Sequence, residues 1–360
     1  MEPDDAPDTH HYPWVTKLLL SLYQQGELPN VARVDVEPRY GYVARISYQN
    51  GSVRMFLGHG LDGLNNAAAS RIARDKGWTK FFLQHLGYRC APGEKFVLET
   101  FAEDLDRRLG RRFRGYLFSS EAPAFIESSL TYPVYLKPAR GSLGRGIYKC
   151  FTTEEVRSAI EEYREAGREA FVVEQALSMP DYRVVVQGDE VLCCYERRPL
   201  SVEGDGVSNI GELLTNVHLG FRARGRPGVD MDDVRLERNL ARVGLSLDYV
   251  LPTGLVQQLL EVSNLSAGGR AVDRLPELHD RWRALCAEVT CQFGLHICGV
   301  DLACADITDP DADYAILELN SSPGLDYYAS EGEEQMAVVR GLYRRVFDDA
   351  SDLRVPQASR

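Results

Sequence analysis

Tyr314–Ala315–Ile316–Leu317–Glu318–Leu319–Asn320–Ser321–Ser322–Pro323–Gly324 is an apolar run that closes on a carboxylate and a carboxamide, followed by a turn. The run is short, rich in aliphatic residues and stopped by Pro-Gly, so it predicts a buried strand. Residues two apart in a strand leave the same face, so Glu318 and Asn320 project together. Two adjacent oxygen donors suit a hard divalent cation such as Mg²⁺, which keeps phosphate and water oxygens in its shell. Upstream, Cys298–Gly299–Val300–Asp301–Leu302–Ala303–Cys304 is a second apolar segment carrying one acid. If the two strands pair, Asp301 joins Glu318 and Asn320 in one cation site. From these residues alone, a strand that merely ends in polar residues before a turn reads equally well.

The composition sets the outer bounds. A chain of 360 residues, 44% hydrophobic and 26% charged, can bury a large core and divide into two or three domains. Its net charge of −12 argues against a nucleic-acid backbone as main ligand. Basic islands such as Arg140/Arg145 and Arg197/Arg198 suit small anions better. No apolar run approaches the roughly 18 residues that would span a bilayer, and the acidic start lacks a signal-peptide pattern. The eight cysteines include no C-x-x-C pair, and several sit in apolar runs. A reducing cytoplasm is the expected compartment.

Working outward from the quoted stretch, the periodicity predicts a helix over 14–25 and strands over 31–48 and 53–57, turned at Asn50–Gly51. A helix follows over 65–87 with Gly87 as its stop, then a strand at 96–100 and a helix starting near 105. Strands are expected at 132–136 and 171–175, with a helix between them capped at Thr152 or Thr153. Residues 183–187 and 191–197 read as an antiparallel pair turned by Gly188–Asp189. Gly204–Asp205–Gly206 opens an excursion with helices near 210–216 and 232–243. A strand at 256–262 and a helix at 276–293 lead into the two acid-bearing strands. The fold class is α+β, with mainly antiparallel pairing late in the chain.

Two further constellations carry chemistry. In Val134–Tyr135–Leu136–Lys137–Pro138–Ala139–Arg140–Gly141–Ser142–Leu143–Gly144–Arg145–Gly146, a strand delivers a lysine and then a glycine-rich loop. Glycines let backbone N–H groups approach phosphate closely, and the lysine supplies a point charge. The order differs from a P-loop and from G-x-G-x-x-G, and a plain Gly-rich hairpin fits as well. The stretch Asn264–Leu265–Ser266–Ala267–Gly268–Gly269 is a polar loop after a strand, able to hold phosphate or a substrate carboxylate, or to be only a turn. Glu174, closing a strand, and Arg183, Arg197 and Arg198, on one hairpin, complete the set; solvated acid and surface salt bridges are the plain alternatives. The histidines are scattered and no nucleophilic triad stands out.

The order of these pieces resembles the ATP-grasp superfamily, above all the ATP-grasp domain of cyanophycin synthetases and of bifunctional glutathione-forming ligases. The likeness runs from about residue 65 to 345 through Asp75–Lys76–Gly77–Trp78–Thr79–Lys80, Lys137–Pro138, Asp181–Tyr182–Arg183, Gly299–Val300–Asp301 and Glu318–Leu319–Asn320. It implies two α+β subdomains clasping ATP between antiparallel sheets (65–175 and 176–348), a small N-terminal α+β domain (1–64) and a tail (349–360). It also implies phosphate contacts from Lys76, Lys137 and the loop bearing Gly141, Ser142, Gly144 and Gly146. Glu174, Gln175, Ala176 and Leu177 would frame the adenine and Asp181 the ribose. Arg183, Arg197 and Arg198 would neutralise the transferred phosphate, with Asn264, Ser266 and Gly268 near it. Asp301, Glu318 and Asn320 would hold two Mg²⁺ ions, with Mn²⁺ able to substitute.

The activity so implied is ATP-dependent amide formation between amino acids or small peptides. Modification of a peptide or protein, and a silent nucleotide-binding role in assembly, are the alternatives. Small-molecule partners are expected, with neither nucleic acid nor membrane, and homo-oligomerisation is left open. Cyanophycin synthetases carry long additional regions, so a single ligation step is expected in place of polymerisation.

Overall fold

The computed structural model describes residues 10–58, 64–110, 115–141, 144–351 and 353. Helix α1 (Trp14–Gln24) packs on a three-stranded antiparallel sheet of β1 (Val31–Val36), β2 (Val43–Tyr48) and β3 (Val53–Leu57). Leu19, Leu22 and Ile46 of this unit are buried in a cluster that also holds Val185, Tyr195, Tyr343 and Phe347. The N-terminal segment therefore shares its core with the C-terminal part of the chain. Tyr48 Oη fixes the junction by donating to Phe347 O at 3.0 Å.

Two helices, α2 (Ala67–Ala73) and α3 (Lys76–His85), stand where the periodicity predicts one. Asp75 breaks the run, because its carboxylate accepts the Gly77 and Trp78 N–H groups and starts a new helix. Next come β4 (Gly93–Val97) and α4 (Glu99–Leu109). The strand thus sits earlier than the expected 96–100 and the helix begins well before 105. The shared apolar run Phe96–Val97–Leu98 gives no sign of where strand stops and helix starts.

A four-stranded antiparallel sheet, ordered β4-β7-β5-β6, forms from β5 (Val134–Pro138), β6 (Tyr148–Cys150) and β7 (Ala170–Gln175). Helices α5 (Ala122–Ser129) and α6 (Thr153–Glu165, capped by Thr152) cover one face. Ile126, Val156 and Tyr163 meet Phe96, Leu136 and Phe171 there.

The second body is a five-stranded sheet in the order β12-β9-β8-β13-β14. Its strands are β8 (Asp181–Gln187), β9 (Glu190–Arg198), β12 (Arg270–Asp273), β13 (Ile297–Cys304) and β14 (Tyr314–Asn320). Between β9 and β12 lies the excursion: β10 (Ser201–Glu203), α7 (Ile210–Ala223), α8 (Val234–Arg242) and β11 (Val256–Gln258). Only the first three residues of the expected strand 256–262 are extended, because Leu259 and Leu260 turn into the excursion's own core.

Helix α9 (Asp280–Gln292) starts after a 3-10 turn at Leu275–Glu277, later than the expected residue 276, with His279 as its N-cap. It buries Trp282, Cys286 and Val289 against Val184, Val300 and Leu302 on one face of the sheet. The opposite face holds the acid-bearing positions. The chain ends in α10 (Asp326–Ala329) and α11 (Glu333–Asp348). Among the described residues no helix is long and apolar enough to cross a membrane.

Candidate active site between the two sheets

The two sheets enclose a cavity of about 1090 Å³. Strand pairing builds its floor. In β13–β14, Asp301 stands directly across from Glu318 and Gly299 from Asn320; in β13–β8, Asp301 stands across from Arg183. A bulge leaves Leu317 without a partner between Ile316 and Glu318, which resets the alternation and re-aims the acid. The expected pairing of the two strands is therefore present, and it gathers Asp301, Glu318 and Asn320 at one end of the cavity.

Gly299 is there for space. A Cβ on it would stand 2.9 Å from both Arg183 Cδ and Pro323 Cβ, so only glycine lets Arg183 lie across the strand. Arg183 donates from Nε to Asp301 Oδ1 at 2.5 Å, and Arg197 Nη2 reaches Asp301 Oδ2 at 2.8 Å. Arg197 also binds Asp181 at 2.7 Å, and Asp181 accepts from Ser263. Burial alone would raise the Asp301 carboxyl, but the two guanidiniums outweigh it and hold it below the usual range. The same network raises both arginines despite their burial.

The opposite wall brings the lysines. Asp75 and a backbone bond from Lys76 N to Ala139 O (2.9 Å) set the start of α3 beside the end of β5. From there Lys76 Nζ reaches across to Glu318 Oε1 at 3.0 Å, bridging the two bodies. Lys137 Nζ meets Glu174 Oε2 at 2.8 Å, and Lys80 Nζ meets its Oε1 at 3.0 Å. Burial would raise the Glu174 carboxyl; the two lysines overcome this and hold it at about 2. Glu174 in turn keeps the largely buried Lys137 charged, raising it against its own desolvation.

The linkage has a definite sign. Because Glu174 is lowered on folding, its contribution to stability is complete above the unfolded value near ~4.3 and is lost as pH falls toward the folded value. Asp301 acts in the same direction. The urea midpoint is expected to fall between pH 5 and 3, and Glu174→Gln to flatten that fall. An unchanged slope in the variant would contradict the lysine clamp.

The remaining residues singled out from sequence fall into place unevenly. Gln175 and Leu177 line the cavity, but the Gln175 carboxamide is bound to Thr131 and Pro133 backbone groups. Ala176 donates its N–H to Pro133 O and lies beside the lining. The Glu174 side chain also lines the cavity, where it grips the two lysines. Arg198 pairs with Glu196 at 2.9 Å and is exposed at the rim, outside the Asp301 network. Alternation along β9 turns Arg197 and Arg198 to opposite faces of the strand.

Asn264 and Ser266 line the cavity, whereas Gly268 is the left-handed residue (φ 99°) closing the 3-10 turn behind them, against Leu200 and Val229. Gly141 and Gly144 line it too; Gly146 sits behind, receiving the Tyr163 hydroxyl. Gly144 (φ 69°) lies so near Asn264 that a Cβ would stand 2.8 Å from its Oδ1. Gly144 is thus in close contact with Asn264 of the second body. Ser142 lies outside the described residues.

Sequence reasoning gave no role to Lys80, Tyr135, Lys149 or Glu261. Lys80 carried a signal, being one helical turn beyond Lys76. The Tyr135 hydroxyl donates to Glu261 O at 3.0 Å and Lys149 pairs with the Glu261 carboxylate at 2.7 Å; nothing local in the sequence announces that pairing.

Two antiparallel bodies with lysines on one wall and an Arg–Asp–Glu–Asn floor on the other constitute the ATP-grasp fold. Residues 115–205 match the family model described as D-ala D-ala ligase C-terminus. The chain is homologous to cyanophycin synthetase of Trichormus variabilis, 33% identical over 247 residues, which is 66% of this chain and 26% of that protein. It is 29% identical over 204 residues to the glutathione biosynthesis bifunctional protein GshAB of Pasteurella multocida, covering 53% of this chain and 27% of that one. The crystal structure of a bifunctional glutathione synthetase from Pasteurella multocida shares the fold with a TM-score of 0.55 at 21% identity, over 91% of this chain and 43% of that chain. This chain spans about a quarter of the length of those curated relatives.

Proposed function

We propose that this protein is an ATP-dependent carboxylate–amine ligase that joins amino acids or small peptides and releases ADP and phosphate. One observation carries the reading: Lys76 and Lys137 from one body, and Arg183, Arg197, Asp301, Glu318 and Asn320 from the other, line the same cavity. Such a set matches the charge of a triphosphate and of an acyl phosphate, where catalysis is positioning and neutralisation.

The donor chemistry fits a divalent cation. Asn320 commits Nδ2 to Gly299 O at 3.3 Å, which leaves its carbonyl oxygen as the ligand atom beside the Glu318 carboxylate. Glu318, Asn320 and, opposite Glu318, Asp301 would hold Mg²⁺; two ions are proposed, with Mn²⁺ able to replace them. When bound, they would neutralise the β- and γ-phosphate oxygens. Arg197 Nε is buried without a hydrogen-bond partner among the described residues, a donor that an anionic ligand would satisfy.

In this reading Lys76 and Lys137 hold phosphate oxygens, and Arg183 and Arg197 face the phosphoryl group as the substrate carboxylate attacks it. An amine then displaces phosphate from the acyl phosphate to form the amide. Gly141, Gly144 and the excursion opened by Gly204 help exclude water from that intermediate. Gln175, Ala176 and Leu177 border the adenine and Asp181 the ribose; Asn264 and Ser266 approach the acyl group. The partners are small molecules, and the compartment is the cytoplasm.

The test is ATP turnover screened over amino acids, singly and in pairs, with mass detection of product. Amine-dependent ADP release with a new amide is the expected result. ADP release with no amide from any pair would sink the small-molecule reading.

A further inference from the structure

The acids that line the cavity are nearly all neutralised from within. Glu174 has Lys80 and Lys137, Asp181 and Asp301 share Arg197, Glu196 has Arg198, Glu261 has Lys149 and Glu318 has Lys76. Asp326 is the exception: among the described residues it makes no ion pair, although it lines the same cavity. Its side chain lies just past the Ser-Ser-Pro-Gly turn that leads away from Asn320, with Oδ1 3.5 Å from the position a Cβ on Gly324 would take. Burial raises its carboxyl above the ordinary value, against the local backbone N–H groups of Tyr327 and Asp326 and the more distant Arg226.

The internal cation that acts on it, Arg226, pairs with Glu331 and makes no ion pair with Asp326 among the described residues. Arg226 is buried and directed elsewhere: Nη1 donates to Glu331 Oε1 at 2.9 Å, and Nη2 to Leu265 O at 2.6 Å and Gly269 O at 3.1 Å, while Nε has no hydrogen-bond partner among the described residues. Its guanidinium is packed over Phe221 at 3.9 Å and Tyr327 at 5.1 Å. Those bonds fix the loop Asn264–Ser266 and the Tyr327 ring as neighbouring walls without neutralising Asp326. A desolvated carboxylate left without a cation is costly, and it persists here on the face of a cavity open to ligand.

We propose that Asp326 anchors a primary ammonium group of the substrate, so that the pocket between Ser322, Ser266 and Tyr327 takes an amino acid or peptide by its amine. An ammonium would complete the pairing that every other acid of the cavity already has. Its compact charge donates three hydrogen bonds, and a charge-assisted contact of this kind accounts for about tenfold or more in affinity. The anchor is a binding claim; it rests on the ligase reading only for making that amine the attacking group.

The test uses the full chain with ADP and Mg²⁺. Its probes are the proteinogenic L-amino-acid amides, which carry an ammonium and no carboxylate, and the matching N-acetyl amino acids, which lack the ammonium. At least one amide is expected to bind the wild type by saturation-transfer NMR and to weaken at least tenfold in Asp326→Asn. Asp326→Glu, which keeps the charge, should recover part of the loss, and ADP affinity should be unchanged in both variants. Absence of binding by any amide, or equal affinity in Asp326→Asn, overturns the anchor. The two readings also separate: Asp326-dependent amide binding without amide synthesis from any pair keeps the anchor and removes the ligase, whereas synthesis unaffected by Asp326→Asn does the reverse.

Discussion

Glu318→Ala is expected to lower kcat/KM for ADP release by about 10³-fold while leaving the protein folded. The carboxylate stands at the cavity floor beside Asn320, opposite Asp301 in the strand register, where charge on the transferred phosphate must be balanced. Its structural role is small. The side chain is 24% exposed and makes one part-buried ion pair, with the 9% exposed Lys76. Water reaching the carboxylate end can replace that contact, so the loss is well below that of a fully buried pair. Loss of turnover with a little-changed denaturation midpoint is therefore the expected pattern. A folded variant with near wild-type turnover would remove Glu318 from the site. Lys137→Ala should lose turnover likewise, but with a lower midpoint, because the buried Glu174 then keeps only Lys80.

Asp301→Ala should fail differently. Asp301 is 3% exposed and is the shared acceptor of Arg183 and Arg197. Its removal leaves two buried guanidiniums short of a counter-charge, with only Asp181 remaining for Arg197. Breaking such a buried pair costs about 3–5 kcal/mol, a large share of a stability that for single domains is about 5–15 kcal/mol. Urea denaturation would read this directly, as a midpoint far below that of Glu318→Ala. Equal stability of the two variants would show that Asp301 carries no more structural weight than a surface acid.

Much of this arrangement was legible in the residues. The apolar runs around Asp301 and Glu318 have strand length, and their pairing sets the two acids opposite each other as the sequence reading required. Lys137 lies in a strand as read, and Gly141 and Gly144 after it line the cavity. What stayed hidden depends on partners far apart in the chain. Glu174 closes an apolar run like a solvated strand end, and only the approach of Lys80 and Lys137 makes it a buried clamp.

Asp75 sits inside a stretch of good helical periodicity, and its capping bonds matter more than that pattern. Arg198 differs from Arg197 by one position on β9, and the pleat alone separates a buried phosphate-facing candidate from an exposed partner of Glu196. Asp326 opens the short helix α10, just past the Pro-Gly turn. Its unpaired state emerges once the other acids of the cavity are matched with their cations.

The central claim is that the cavity activates a carboxylate by phosphoryl transfer from ATP. Amino acids labelled with ¹⁸O in the carboxylate test it most directly, by mass analysis of the phosphate released during turnover. If the carboxylate oxygen attacks the γ-phosphorus and the amine then displaces phosphate, one labelled oxygen leaves with each phosphate formed. Phosphate released at the same rate without label would mean that water attacks ATP, and would contradict the account.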